Sequence, residues 1–258
     1  MKNKFDLSGK TAVVTGAGQG LGRSFARALS GAGAEVFLMA RNLERLTRTA
    51  EEIADETGTA THAIQLDITN EQSVKAACQA VLDAVGRIDI LINNAAVGRS
   101  SKKLTDEPLE EWNSILETNL TGTFLMMKHV GRIMIEQKSG KVINLGSMTG
   151  HVAMRNPTVG AYDVSKAGIE CLTRLMAGAW SEYGVTVNAI CPGYYMTDIN
   201  KAYVAEHPEF YEDSLRQIPL KKWGEPEDIG DIAVFLASGA SDYMTGANVV
   251  SDGGYTIW

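Results

Sequence analysis

The stretch Thr11-Ala12-Val13-Val14-Thr15-Gly16-Ala17-Gly18-Gln19-Gly20-Leu21-Gly22 decides the fold. Its first five residues are small or β-branched and carry no charge, the mark of a strand buried on both faces. Glycines follow at once, and the chain then runs into Leu21, Phe25, Ala28 and Leu29, spaced as one apolar face of a helix. Glycine at such a junction permits a tight turn and lets backbone approach a phosphate closely, while the helix N-terminus offers free N–H donors. The spacing Gly16-x-x-x-Gly20-x-Gly22 is neither GxGxxG nor the P-loop pattern. Taken alone, it is also compatible with plain loop chemistry.

Working outward, short β-branched runs alternate with helical ones. Glu35 to Leu38, Thr61 to Leu66, Ile88 to Ile92, Lys141 to Leu145, Val185 to Ile190 and Asn248 to Val250 read as further strands. Between them, Leu43, Leu46, Ala50 and Ile53 form one helical stripe. Val74, Ala77, Cys78, Val81, Leu82 and Val85 form another, with Asn70 placed to cap it. This alternation predicts an α/β, Rossmann-like doubly wound parallel sheet of about seven strands with helices on both faces. No linker or repeat interrupts residues 1–258, so one domain is expected. The runs Thr118 to Gln137 and Tyr162 to Tyr183 are apolar on more than one face, which fits either a deep core position or a subunit contact.

Composition excludes several functions. Lys and Arg total 24 against 31 Asp and Glu, a formal charge of −7, so neither nucleic acid nor an anionic membrane is an expected partner. No apolar run approaches the ~18 residues that span a bilayer, and the start MKNKFDLSGK has no signal-peptide core. Cys78, Cys171 and Cys191 are scattered, which suits a reducing cytoplasm; Cys78 lies in a helical stripe and reads as core. The four histidines show no ligand spacing, so no metal site is expected.

Polar residues mark the carboxyl ends of successive strands: Asp67-Ile68 after the third, Asn93-Asn94-Ala95-Ala96 after the fourth. Open parallel sheets bind ligands there, although each group could instead serve a local turn. Tyr162 and Lys166 are four apart at a helix start and so share a face. A phenol titrates near ~10 and is a poor base at neutrality, but an adjacent ammonium favours phenolate. An ordinary surface contact between the two is the plainer alternative.

These residues together resemble the short-chain dehydrogenase/reductase family over essentially the whole chain. The glycine turn matches its TGxxxGxG motif, and Asn93-Asn94-Ala95 matches NNAG, with Ala96 replacing the last glycine. Tyr162-Asp163-Val164-Ser165-Lys166 matches YxxxK, and Pro192-Gly193 matches PG. The resemblance implies a nicotinamide-dependent oxidoreductase acting on CH–OH groups, with Asn119, Ser147, Tyr162 and Lys166 as catalytic tetrad. Thr149 is a rival for Ser147, and Asn119 could merely bond local backbone. Implied cofactor contacts are Gly16, Gln19, Gly20, Leu21, Gly22, Arg41, Asp67, Ile68, Asn93, Ala95, Tyr162, Lys166, Pro192, Gly193, Tyr195 and Thr197. A substrate lid is implied around 194–224, and a homotetramer through the two apolar helices with help from Trp258.

Two finer expectations follow. The second strand ends in Ala40-Arg41, where an acid would bind the ribose of NAD; loss of that acid and gain of a guanidinium favour NADP(H) over NAD(H), although Gln19 adds no second cation. The long Ser147-to-Tyr162 loop resembles that of sugar-alcohol dehydrogenases and ketose reductases. Ser147, Thr149, His151, Asn156, Tyr162 and Tyr194 are the expected substrate contacts, with Arg155 beside them. A small polar substrate is expected: a polyol, sugar or sugar acid. The alternatives are 3-oxoacyl-acyl-carrier-protein reduction and a noncatalytic dinucleotide-sensing module.

Overall fold

The computed structural model describes residues 3–98, 104–154 and 160–257. Arg155, Asn156 and Trp258, named above, lie outside them. Seven strands form one sheet: β1 (Thr11–Thr15), β2 (Glu35–Ala40), β3 (Thr61–Gln65), β4 (Ile90–Asn93), β5 (Gly140–Leu145), β6 (Val185–Pro192) and β7 (Asn248–Ser251). Their order is β3-β2-β1-β4-β5-β6-β7, every pair parallel. The chain winds outward from β1 to β3, then returns to the other side of β1 at β4. That reversal opens a crevice beyond the carboxyl ends of β1 and β4, where doubly wound sheets take their ligands.

Strand alternation splits the core in two. Val14, Leu38 and Ile92 join Phe25, Leu29 and Leu46 on one face, whereas Val13, Phe37 and Leu91 join Val74, Val81 and Met126 on the other. A fully buried side chain of this kind contributes roughly 1.5–3 kcal/mol, so both faces of the strands need helical cover. On the first face lie α1 (Gly20–Gly31), α2 (Leu43–Thr57) and α9 (Pro226–Ala237); α3 (Glu71–Val85) and α5 (Thr123–Gln137) cover the second. Asn70 caps α3 as expected, its Oδ1 accepting from Gln72 N at 2.9 Å and Ser73 N at 3.1 Å.

Two segments differ from the sequence reading. The helix expected to start at Thr118 begins earlier, as α4 (Leu109–Leu116), and passes into α5 through a π-helical turn, Glu117–Gly122. A π-turn is uncommon and tends to sit at functional positions; this one carries Asn119. The stretch after Pro192, where the lid is implied without any element read from the sequence, contains α7 (Asp198–Glu206) and α8 (Pro208–Gln217). Phe210 of α8 packs edge-on to Tyr194 and Trp223 from the flanking loops, which stack on each other at 4.9 Å. Helix α6 (Ala161–Trp180) buries Lys166 and Glu170 among its apolar residues. Among the described residues no helix is long and apolar enough to cross a membrane.

Candidate active site

The glycine turn is shaped by close approach. Gly16 and Gly20 hold φ of +66° and +56°, a region that disfavours other residues. A side chain at Gly16 would press to 2.8 Å from Ala95 Cα, and one at Gly22 would collide with the Gly16 carbonyl oxygen. The turn is fastened to β4 by two residues. Thr15 Oγ1 accepts from Asn94 N and Ala95 N, both at 3.0 Å. Asn94 Nδ2 donates to Thr15 O at 2.9 Å and Gly16 O at 3.2 Å. The backbone therefore forms a bare cradle at the start of α1.

That cradle floors a cleft of about 570 Å³. The ends of β2 and β3 form one wall, Asn94 to Gly98 another, and Tyr162 and Thr197 stand at the far side. Of the residues expected to hold a cofactor, Gly16, Gln19, Gly20, Leu21, Gly22, Arg41, Asp67, Ile68, Ala95, Tyr162 and Thr197 all line it. Asp67 also starts a turn: its Oδ1 accepts from Thr69 Oγ1 at 2.7 Å and Thr69 N at 3.0 Å. Those two bonds, with the Arg41 charge as a smaller addition, hold its carboxyl below the usual range. A glycine floor where a Cβ would intrude, free N–H groups and cations at one end fit a dinucleotide.

Two expected contacts turn elsewhere. The Tyr195 ring is 4% exposed and sits in the core, its hydroxyl sharing a hydrogen bond with Ser251 Oγ. Tyr195 lies two residues past Gly193, and its ring points into the core rather than the cleft. Asn93 is also buried, its Nδ2 donating to Asn144 Oδ1 at 2.8 Å on the neighbouring strand. Its partner Asn94 is the one that meets the glycine turn. Pro192 ends β6, and a side chain at Gly193 would press on Asp252.

Arg45 was not foreseen. It lines the cleft one helical turn after Arg41, and its guanidinium donates to Gln19 Oε1. The spacing of Arg41 and Arg45 across a helix start was the available signal.

The four expected catalytic side chains are each held by defined contacts, and of them Tyr162 lines the cleft. Lys166 is 3% exposed; Nζ donates to Leu145 O at 2.8 Å and lies 5.5 Å from the centre of the Tyr162 ring. Asn119, in the π-turn, exchanges bonds with Val97: its Oδ1 accepts from Val97 N at 2.8 Å and its Nδ2 donates to Val97 O at 3.2 Å. The same Nδ2 donates to Ser165 Oγ at 3.1 Å, and Ser165 in turn donates to Tyr162 O. Ser147 follows β5, and its Oγ accepts from Thr149 N at 3.2 Å and Thr149 Oγ1 at 3.0 Å. Thr149 thus spends its proton on Ser147, which leaves the Ser147 proton for another acceptor.

Behind Ser147 lies a group that linear spacing did not announce. Glu170, 4% exposed, lies 3.1 Å through Oε2 from His151 Nδ1, and its Oε1 accepts from Cys191 Sγ at 3.5 Å. Asn248 Nδ2 donates to Oε2 at 3.3 Å. The ligand-type atoms of His151, Glu170 and Cys191 lie within 4.8 Å of one another. Burial pushes the Glu170 carboxyl up, against the pull of His151, and pushes the Cys191 thiol up strongly. A thiol held protonated is a poor metal ligand and a serviceable hydrogen-bond donor.

Residues 16–256 match the family model described as enoyl-(acyl carrier protein) reductase. The chain is 38% identical over 256 residues to a galactitol 2-dehydrogenase (L-tagatose-forming) of Cereibacter sphaeroides, covering 98% of each. It is 35% identical over 251 residues to a 3-oxoacyl-acyl-carrier-protein reductase of Aquifex aeolicus (strain VF5), covering 96% of this chain and 98% of that one. Among solved structures, a gluconate 5-dehydrogenase from Burkholderia cenocepacia J2315 in complex with NADP and tartrate superposes with a TM-score of 0.93 at 34% identity, over 99% of this chain and 98% of the other. With these matches and the doubly wound sheet, the chain belongs to the short-chain dehydrogenase/reductase family of oxidoreductases.

Proposed function

We propose that this enzyme transfers a hydride between NADP(H) and a secondary alcohol or its ketone, on a polyol, sugar or sugar acid. The observation that carries the reading is Tyr162 at the edge of the nucleotide cleft with the Lys166 ammonium 5.5 Å from its ring. When bound, the nicotinamide supplies or takes up the hydride at the substrate carbon. Tyr162 gives its proton to the carbonyl oxygen during reduction and takes the hydroxyl proton during oxidation. The Lys166 charge stabilises the phenolate formed in the first case. Ser147, its lone pairs occupied by Thr149, donates to the same substrate oxygen and holds the carbon in reach. Asn119 keeps the loop at Val97 and the start of α6 in register around the tyrosine.

Preference for NADP(H) rests on two guanidiniums, Arg41 just after β2 and Arg45 in the first turn of α2, and on Ala40 standing in place of an acid at the end of β2. Polyol and sugar-acid substrates are supported by the galactitol and gluconate dehydrogenases that this chain resembles. The Aquifex reductase favours a second reading, reduction of 3-oxoacyl thioesters on the same tetrad. An absorbance assay of the reduced nicotinamide against galactitol, gluconate, ketoses and acetoacetyl thioesters, with each cofactor, separates the two. Oxidation of hydroxylated substrates with NADP is the expected result, and activity confined to thioesters selects the alternative.

We further propose a cytoplasmic homotetramer. Leu109, Phe124, Val164 and Leu175 on α4, α5 and α6 are 72%, 40%, 49% and 64% exposed, apolar side chains that a subunit contact would cover. Multi-angle light scattering tests it: four chains per particle are expected, and a monomer contradicts it. Helices α7 and α8 form the lid over the substrate in this reading.

A further inference from the structure

We infer that Glu170 is a positioning residue that sets substrate preference: it holds His151 so that the imidazole offers its second nitrogen, Nε2, to a hydroxyl next to the reacting carbon. This rests on the polyol or sugar reading above.

The geometry is that of an acceptor surrounded by donors. Cys191 S–H and Asn248 N–H occupy one bond on each Glu170 oxygen, and His151 Nδ1 completes the set. An acid so surrounded accepts the Nδ1 proton, and a neutral imidazole then carries its lone pair on Nε2. A substrate hydroxyl can donate to that nitrogen; a plain ketone or a thioester chain has no such hydroxyl. The His151 side chain keeps 26% of its exposure while Glu170 keeps 6%, so the acid is the buried member and the imidazole the one open to a ligand.

The network is tied to the reaction centre at both ends. Glu170 follows Lys166 by one turn of α6, and His151 ends the short turn that begins with Ser147, His151 N donating to Met148 O at 3.1 Å. A side chain on Gly150 would strike Glu170, so the turn lies flush on the carboxylate. A buried acid of no use to the fold is costly, and an apolar residue of its volume would pack there without that cost.

The test compares the parent enzyme with E170Q, E170M and H151A. Each is assayed by kcat/KM on galactitol or gluconate, whichever the parent turns over, and on 2-butanol. E170M should lower the ratio of the hydroxylated substrate to 2-butanol by about tenfold, the equivalent of one hydrogen bond, mainly through KM. H151A should do the same, and E170M/H151A no more than either alone. E170Q keeps an oxygen for Nδ1–H and should restore most of the ratio. E170M and E170Q both conserve volume, so an equal loss in the two marks the missing negative charge rather than an acceptor for Nδ1–H and overturns the inference. An unchanged ratio in E170M and H151A overturns it too, with the functional reading intact. A parent enzyme that turns over no hydroxylated substrate faster than 2-butanol overturns both.

Discussion

Lys166 stands one helical turn after Tyr162, its ammonium 5.5 Å from the centre of the ring and anchored to the Leu145 carbonyl at 2.8 Å. The anchor matters because a free lysine would reach solvent. Buried at 3% exposure and tied to the end of β5, this one keeps its charge at a fixed distance from the phenol. Strand β5 also carries Ser147 two residues further on, so one backbone segment places both the cation and the hydroxyl.

The nucleotide end of the cleft predicts a cofactor switch. R41A and R45A should each raise KM for NADP several-fold and leave KM for NAD within about twofold, since the 2′-phosphate is the charge that NADP has and NAD lacks. Kinetics with both cofactors checks it. Equal effects on NAD and NADP would mean that the two arginines hold the fold of the turn rather than a phosphate.

Substituting Gly22 tests the cradle. A methyl group there meets the Gly16 carbonyl and Asn94 Nδ2, both of which belong to the wall of the cleft. Gly22→Ala should weaken NADPH binding at least tenfold, read by fluorescence titration, and lower stability by about 1–3 kcal/mol. Gly31, with nothing within 4 Å of an added Cβ, is the matched control. Gly31→Ala should leave binding unchanged.

Acid stability has a specific contributor at Asp89. Burial opposes its ionisation, yet the Arg87 guanidinium, the Thr11 N–H and Lys10 outweigh that and hold the carboxyl below the usual range. A carboxyl depressed in the folded state stabilises above its unfolded pKa of ~3.9, and that contribution drains away as pH falls through the folded value. Asp89→Asn should therefore cost about 2 kcal/mol near neutrality. The gap in Tm between variant and parent should narrow below about pH 4. A gap independent of pH would show that charge plays no part.

Much of this molecule can be read from its chain because apolar runs report burial directly. Val13 and Val14 had to sit between helices, and Asn70 had to cap one, whatever the rest of the chain did. Side-chain direction at strand ends is another matter. Asn93 and Asn94 are chemically identical, and only the pleat decides which meets the glycine turn and which meets Asn144. Tyr195 follows Pro192-Gly193 as a cofactor contact would, but Gly224 and Ser251, distant in sequence, leave its ring a place in the core. Glu170 has no signature of its own in the chain; Cys191 and Asn248, from β6 and β7, close over it. Arg45 joins Gln19 across 26 residues of chain for the same reason. Contacts between elements decide these positions, and no local pattern carries them.

The central claim is that Tyr162 handles the proton. Tyr162→Phe removes one oxygen and keeps the ring that lines the cleft. The measurement is hydride transfer by absorbance, run beside NADPH titration and circular dichroism on the same sample. Turnover should fall by about 10²–10⁴ or more, with cofactor affinity and fold retained. Turnover near the parent rate in a folded, NADPH-binding variant would contradict the account.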